Sequence, residues 1–194
     1  KLYPTDPDEQ AFMQASMKRE DDLHLCVRAL TFRYFLPVEM MRKDDAAVDV
    51  YEAEGAETVG GEVDGRKAIE VDFWRKMNAN GGITDAQIVD AAGEFLKAFA
   101  ELEERLDGQE WLLASGFSAL DIAWWITVFR ITSMGFPTDR FPRLLAWYER
   151  IAAREDFKRE VANPPEIDEI SKAHQAACAD AGKSMQDVIA AAGL

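Results

Sequence analysis

Cysteine, histidine and basic residues are all scarce in this sequence, and each shortage argues against a class of function. The two cysteines, Cys26 and Cys178, are far apart and form no CxxC pair, so we expect a reducing compartment and no disulfide framework. The two histidines, His24 and His174, have no partner at ligand spacing, so we expect no metal site. Lys and Arg total 22 against 36 Asp and Glu, and the resulting net charge of −14 disfavours nucleic acid and anionic membranes as partners.

Long hydrophobic runs are also missing. No stretch reaches the roughly 20 apolar residues that a membrane-spanning helix needs, and no signal peptide is evident at the start. Together with the unpaired cysteines, this predicts a cytoplasmic protein without membrane attachment. A chain of 194 residues suits one hydrophobic core and is marginal for two, so a single domain over residues 1–194 is expected.

The most apolar stretch, residues 117–135, predicts a buried central helix. Ser118 occupies the N-cap position and Asp121 follows at N3, which together form a capping box with Asp where Glu or Gln is more common. Phe117 and Ile122 flank this box at the positions of a hydrophobic staple. Only one charged residue follows before the stretch ends, and a helix that is apolar nearly all round is buried on most sides.

Hydrophobic periodicity predicts further helices on both sides of this one, which makes the expected fold an all-α helical bundle. These helices cover about residues 8–36, 38–42, 84–107, 142–151, 155–161, 167–181 and 185–192. Pro37 ends or kinks the first helix, because proline removes a backbone donor. Thr84 and Gln87 form a second capping box at the start of the helix that follows residue 83.

Residues 43–83 differ from the rest of the chain because they are rich in glycine and acidic residues. We interpret them as an insertion between the first and second long helices, and we expect residues 43–82 to be the most mobile internal region. A structureless loop of this length is unusual inside a compact domain. The alternatives are a small hairpin, with residues 58–59 and 62–63 as its strands, and a short helix over residues 68–77.

Three stretches together resemble the C-terminal domain of the glutathione transferase superfamily. The capping box and staple, Phe-Ser-Ala-Leu-Asp-Ile at residues 117–122, are similar to the start of that family's buried central helix. Phe-Pro-Arg-Leu-Leu-Ala-Trp-Tyr-Glu-Arg-Ile at residues 141–151, followed by Arg-Glu-Asp-Phe at 154–157, looks like its next helix and corner. Leu-Tyr-Pro at residues 2–4 looks like its interdomain linker. The resemblance is good over residues 85–161, moderate over 1–42 and absent over 43–82.

The resemblance implies a division of labour between two domains. In the family, a thioredoxin-like domain holds glutathione and the catalytic residue, and nothing between Lys1 and Leu194 looks like that domain. We therefore expect no catalytic residue in this chain, and glutathione as cosubstrate only when a thioredoxin-like domain is joined to it. The helical half supplies a wall for a hydrophobic substrate, here with Met13 and Met17 as candidate pocket residues, and part of a homodimer interface.

Other interpretations remain open at this point. Helical domains of this kind also serve as assembly modules in translation factors and aminoacyl-tRNA synthetases, so a non-catalytic role in protein–protein assembly is the main alternative. An unrelated helical bundle is the third interpretation. If the chain alone proved active with glutathione, Cys26, Tyr3 and Ser16 would be the first candidates for a catalytic residue.

Overall fold

The computed structural model describes residues 2–55, 58–59, 62–63, 65–161 and 164–194. Its elements in chain order are α1 (Pro7–Asp22), α2 (His24–Tyr34), α3 (Val38–Met41), α4 (Asp45–Ala53), β1 (Thr58–Val59), β2 (Glu62–Val63), α5 (Arg66–Asn80), α6 (Asp85–Arg105), α7 (Ala119–Thr132), α8 (Pro142–Ala152), α9 (Glu155–Glu160), α10 (Pro165–Asp180) and α11 (Met185–Ala191). The predicted all-α fold is confirmed. The two-residue strands pair antiparallel, so the small hairpin and the helix that the sequence allowed within residues 43–83 are both present.

Helix α7 packs against α1, α2 and α8, while the longer α6 packs against α2, α8 and α11. The α7 core positions are buried, among them both adjacent tryptophans, Trp124 and Trp125. One face of α7 remains uncovered within the described residues, where Ile126 is exposed and Phe129 is partly exposed. The helix ends where Gly135 adopts a φ of 88°, a left-handed conformation that glycine adopts without a steric penalty.

The first predicted helix is broken into α1 and α2 at Leu23, which the periodicity did not indicate. The Leu23 N–H donates to the Glu20 carbonyl at 3.1 Å, a tightened last turn, and the Val27 N–H then donates to the Leu23 carbonyl at 2.9 Å as α2 begins. Three consecutive acidic residues, 20–22, lie at the negative end of α1, where carboxylates oppose the helix dipole. The break therefore falls where continued helix is least favourable, and it leaves Leu23 buried in the core.

Helix α8 receives its N-terminal cap from a neighbouring helix. Phe141, the N-cap residue, provides no side-chain hydrogen bond. Instead the Glu103 carboxylate of α6 accepts from the Arg143 N–H at 3.1 Å and from the Leu144 N–H at 2.8 Å. The free N–H groups of a helix start are thus satisfied across an interface, and the same contact fixes α8 against α6.

Tyr34 of α2 carries an unsatisfied polar group in this core, because the residue is 1% exposed and its hydroxyl has no hydrogen-bond partner in the described part of the chain. Burial raises the pKa of Tyr34 to about 12. The unfolded chain would ionise this phenol near pH 10, two units earlier, so the free energy of unfolding should fall as the pH rises from 10 to 12.

We expect Tyr34→Phe to unfold with a free energy equal to that of the parent or about 1 kcal/mol higher at pH 7, because it removes an unpaired buried hydroxyl. The variant should also lose part of the parent's alkaline destabilisation, about 2 to 3 kcal/mol by pH 12. Urea melts at pH 7 and at intervals between pH 10 and 12 measure both effects. Tyr3→Phe, at an exposed position, is the matched control. An identical alkaline loss in the parent and in Tyr34→Phe would contradict the assignment.

Candidate functional site

A cavity of about 350 Å³ lies between α2, α3 and α7. Its walls are mainly apolar and aromatic. The residues that give it this character are Phe32, Phe35, Met41, Phe129 and Met134. This volume falls at the lower end of the range of small-molecule sites, which are concave and mostly apolar with a few polar groups.

The polar side chains of the cavity wall are mostly engaged by their own helices. The Thr31 hydroxyl donates to the Val27 carbonyl at 2.8 Å, and the Ser133 hydroxyl donates to the Phe129 carbonyl at 2.6 Å. Such bonds to the preceding turn remove both hydroxyl protons from the cavity. A ligand in this cavity would therefore meet rings, thioether groups and two hydroxyl oxygens that can only accept, with one cationic exception.

That exception is Arg130, an exposed side chain at the edge of the cavity. Its guanidinium forms no hydrogen bond or ion pair within the described ranges. Packing around the group lowers the pKa of Arg130, the charge of Arg28 lowers it further, and the carboxylate of Glu20 opposes the shift. The guanidinium stays cationic at any physiological pH, because arginine ionises far above it.

Helix α5 packs against one residue of the cavity wall, Phe32. Phe32 lies with its ring centroid 6.0 Å from that of Phe73 and 5.6 Å from that of Trp74, and we call these three rings the α5 aromatic cluster. The Arg28 guanidinium lies over all three rings and pairs with the Glu70 carboxylate at 3.1 Å. The segment interpreted as an insertion thus reaches the cavity through Phe32.

Asp121 is completely buried at the start of α7, and its carboxylate accepts four hydrogen bonds. One oxygen accepts from the Ser118 N–H at 2.8 Å and from the Ser118 hydroxyl at 2.9 Å. The other accepts from the Leu112 N–H at 3.0 Å and from the indole N–H of Trp147 at 2.9 Å. The sequence placed Asp121 beside Ser118, but it carried no signal for the bonds to Leu112 and Trp147. This carboxylate joins a loop, α7 and α8.

The two methionines proposed from the sequence lie elsewhere. Met13 of α1 is 3% exposed and belongs to the hydrophobic core, and Met17 is partly buried against that core. Neither lines the cavity between α2, α3 and α7. Their role as pocket residues stays a prediction, and of the two only Met17 has appreciable surface to offer a ligand.

The three residues named as alternative catalytic candidates show no activated group. The Ser16 hydroxyl accepts the Trp124 indole N–H at 2.9 Å, and Tyr3 is 67% exposed. Burial raises the pKa of the Cys26 thiol, with the Glu94 carboxylate acting in the same direction. A thiol with a raised pKa is a poor nucleophile near neutral pH, because the thiolate is the reactive form.

Sequence reasoning missed the cavity residues, although one of them carried a signal. Arg130 is the single charged residue after Asp121 in an otherwise apolar helix, a position where a cation is unexpected.

In the described ranges, no three or more His, Cys, Asp or Glu side chains are grouped so that they could hold a metal ion. None of the described helices combines the length and the apolar character that crossing a membrane requires.

A family model and a solved structure are both similar to this chain. A family model for the glutathione S-transferase C-terminal domain matches residues 46–150. Among solved structures, the fold is similar to the crystal structure of beta-etherase LigF from Sphingobium sp. strain SYK-6, with a TM-score of 0.58 and 21% sequence identity. This match covers 82% of this chain but 64% of the LigF chain, and at that identity it supports the fold alone. No curated protein matches the chain.

Proposed function

Because the chain belongs to the glutathione S-transferase C-terminal domain family, we propose that it is the substrate-binding helical domain of a glutathione transferase-like protein. In this proposal a thioredoxin-like domain, joined to the chain, holds glutathione as cosubstrate. The helical domain binds the hydrophobic electrophile that receives the glutathione thiolate. Homodimer formation and a cytoplasmic location are parts of the same proposal and are supported by the family.

The observation that carries this proposal is the aromatic cavity of about 350 Å³ between α2, α3 and α7. Glutathione transfer requires the thiolate and the electrophilic carbon to be held close together, and orientation of the reactants alone can supply a large part of the rate. An apolar wall holds the electrophile and excludes water. It does not ionise a thiol, so the polar groups for that step belong to the thioredoxin-like domain.

The uncovered face of α7 also supports the proposal. Ile122, Ile126 and Phe129 lie along this face at helical spacing, and Phe129 lines the cavity as well. An exposed apolar strip beside a ligand cavity suits contact with another domain. A thioredoxin-like domain seated on this strip would bring bound glutathione towards the cavity.

The test compares the chain alone with a protein in which it is joined to its natural thioredoxin-like domain. We expect the chain alone to show no turnover of a standard aryl halide with glutathione and no calorimetric binding of millimolar glutathione. The joined protein should show both. In the joined protein, Phe35→Ala should raise the KM for the aryl halide several-fold and leave the KM for glutathione unchanged, because Phe35 lines the cavity and does not belong to the α7 strip proposed to contact the other domain.

Two results would contradict the proposal. Glutathione-dependent turnover by the chain alone would place catalytic groups within it. A joined protein that binds glutathione but converts no electrophile would favour the alternative role as an assembly module.

A further inference from the structure

We propose that the cavity between α2, α3 and α7 binds an aromatic molecule that carries a carboxylate, with its ring inside the cavity and its carboxylate at the edge on Arg130. The inference rests on the proposed function, because it names the substrate class of the same cavity. It is carried by the combination of an apolar interior with a single unpaired cation at the rim.

The interior of the cavity selects for an aromatic group. Phe32, Phe35 and Phe129 line the cavity with aromatic side chains, and Met41 and Met134 add thioether groups, which make favourable contacts with aromatic rings. Both wall hydroxyls already donate to backbone carbonyls. A hydrogen-bond acceptor placed deep in the cavity would therefore lose its water without gaining a donor, which disfavours ligands with a second acceptor group at the buried end.

The rim of the cavity selects for negative charge. Arg130 has no ion-pair partner within the described residues, and its guanidinium presents a planar set of donors that matches a carboxylate. The nearest acidic side chain that acts on it, Glu20, accepts a hydrogen bond from the Thr127 hydroxyl instead of pairing with Arg130. A ligand carboxylate would supply the missing counter-ion.

The neighbouring charged groups leave Arg130 without a direct counter-ion. Arg28 lies close enough to Arg130 to lower its pKa, and although Arg28 pairs with Glu70, its Nη1 atom is buried without a partner in the described part of the chain. Two guanidinium groups and two carboxylates therefore act at this site, and one carboxylate is committed to Arg28 and the other to Thr127. These four charges sum to zero, so the site offers a ligand carboxylate one guanidinium without an ion-pair partner and no excess of positive charge.

The experiment measures charge selectivity with two ligands of the same shape. Naphthalene-1-carboxylate and naphthalene-1-carboxamide are titrated by calorimetry into the full chain at low ionic strength. We expect the carboxylate to bind about fivefold more tightly than the amide, because a rim ion pair contributes modestly and is screened by salt. This ratio should fall towards one in high salt.

Four variants locate the effect. Arg130→Gln should reduce the ratio to about one and leave the affinity for the amide unchanged, whereas Arg130→Lys should retain part of the selectivity. Arg140→Gln removes an exposed arginine that does not line the cavity, and it should behave as the parent does. Ser133→Trp, which places a large ring at the exposed rim, should weaken binding of both ligands.

The outcomes separate this inference from the proposed function. Equal affinity of the parent for carboxylate and amide would overturn the charge selectivity and leave the hydrophobic cavity as the substrate site. The same loss of selectivity in Arg140→Gln would overturn the role of Arg130. Failure of the parent to bind either ligand would overturn both the inference and the cavity on which the proposed function rests.

Discussion

Asp121→Ala is expected to lower the free energy of unfolding by about 4 kcal/mol or more. The substitution leaves four donors without an acceptor: the Leu112 N–H, the Ser118 N–H and hydroxyl, and the Trp147 indole N–H. Each buried donor that loses its partner costs about 1 to 3 kcal/mol. Relaxation of the surrounding structure keeps the total loss below the sum of the four separate costs. Urea melts of the parent and the variant measure the loss.

The control for this prediction is Ser118→Ala, which removes one of the four donors and should cost about 1 to 2 kcal/mol. Trp147→Phe removes a second donor, the indole N–H. The double variant Asp121→Ala/Trp147→Phe should lose less unfolding free energy than the sum of the two single variants, because both substitutions remove the same hydrogen bond. If Asp121→Ala unfolded within 1 kcal/mol of the parent, the four-bond carboxylate would not stabilise the domain.

Trp74→Ala is expected to cost about 3 kcal/mol and to release α5 from α2. Trp74 is buried in the α5 aromatic cluster, where its ring centroid lies 5.5 Å from that of Phe73 and 5.6 Å from that of Phe32. The Lys43 ammonium also lies 4.9 Å from the ring centroid. Hydrogen exchange of the α5 amides should be slow in the parent and much faster in the variant, with α6 and α7 little changed.

Ile69→Ala is the matched control for Trp74→Ala, because Ile69 lies on the same helix and is 53% exposed. It should leave both the unfolding free energy and the α5 exchange nearly unchanged. Fast exchange of α5 in the parent would instead support the expectation, drawn from glycine and acidic content, that residues 43–82 are the most mobile internal region.

The helices could be predicted because their signals are local. Capping residues, apolar spacing and proline act within one or two turns, so the starts of α6, α7 and α8 follow from the sequence at Thr84, Ser118 and Pro142. The family resemblance, confirmed by the match over residues 46–150, depends on the same local patterns in order. The fold class therefore required no knowledge of distant contacts.

The cavity could not be predicted, because it depends on contacts between residues far apart in the chain. Phe32 and Phe129 meet only once α2 and α7 have packed, and neither residue differs in sequence from an ordinary core phenylalanine. The same reason hides the Glu103 cap on α8, which spans about 40 residues of sequence. Met13 and Met17 stay predictions that rest on residue type and on the family resemblance of the first helix, because residue type alone does not distinguish a pocket from a core.

The tryptophan indoles offer a spectroscopic consequence of this packing. Three indole N–H groups donate across helix contacts. Trp124 donates to Ser16 between α7 and α1, and two bonds join α7 and α8: Trp125 to the Tyr148 carbonyl, and Trp147 to Asp121. The indole region of a proton–nitrogen correlation spectrum therefore contains one resonance for each of these bonds. Loosening of α1 would move the Trp124 resonance alone, whereas loosening of α8 would move those of Trp125 and Trp147 and leave Trp124 as an internal reference.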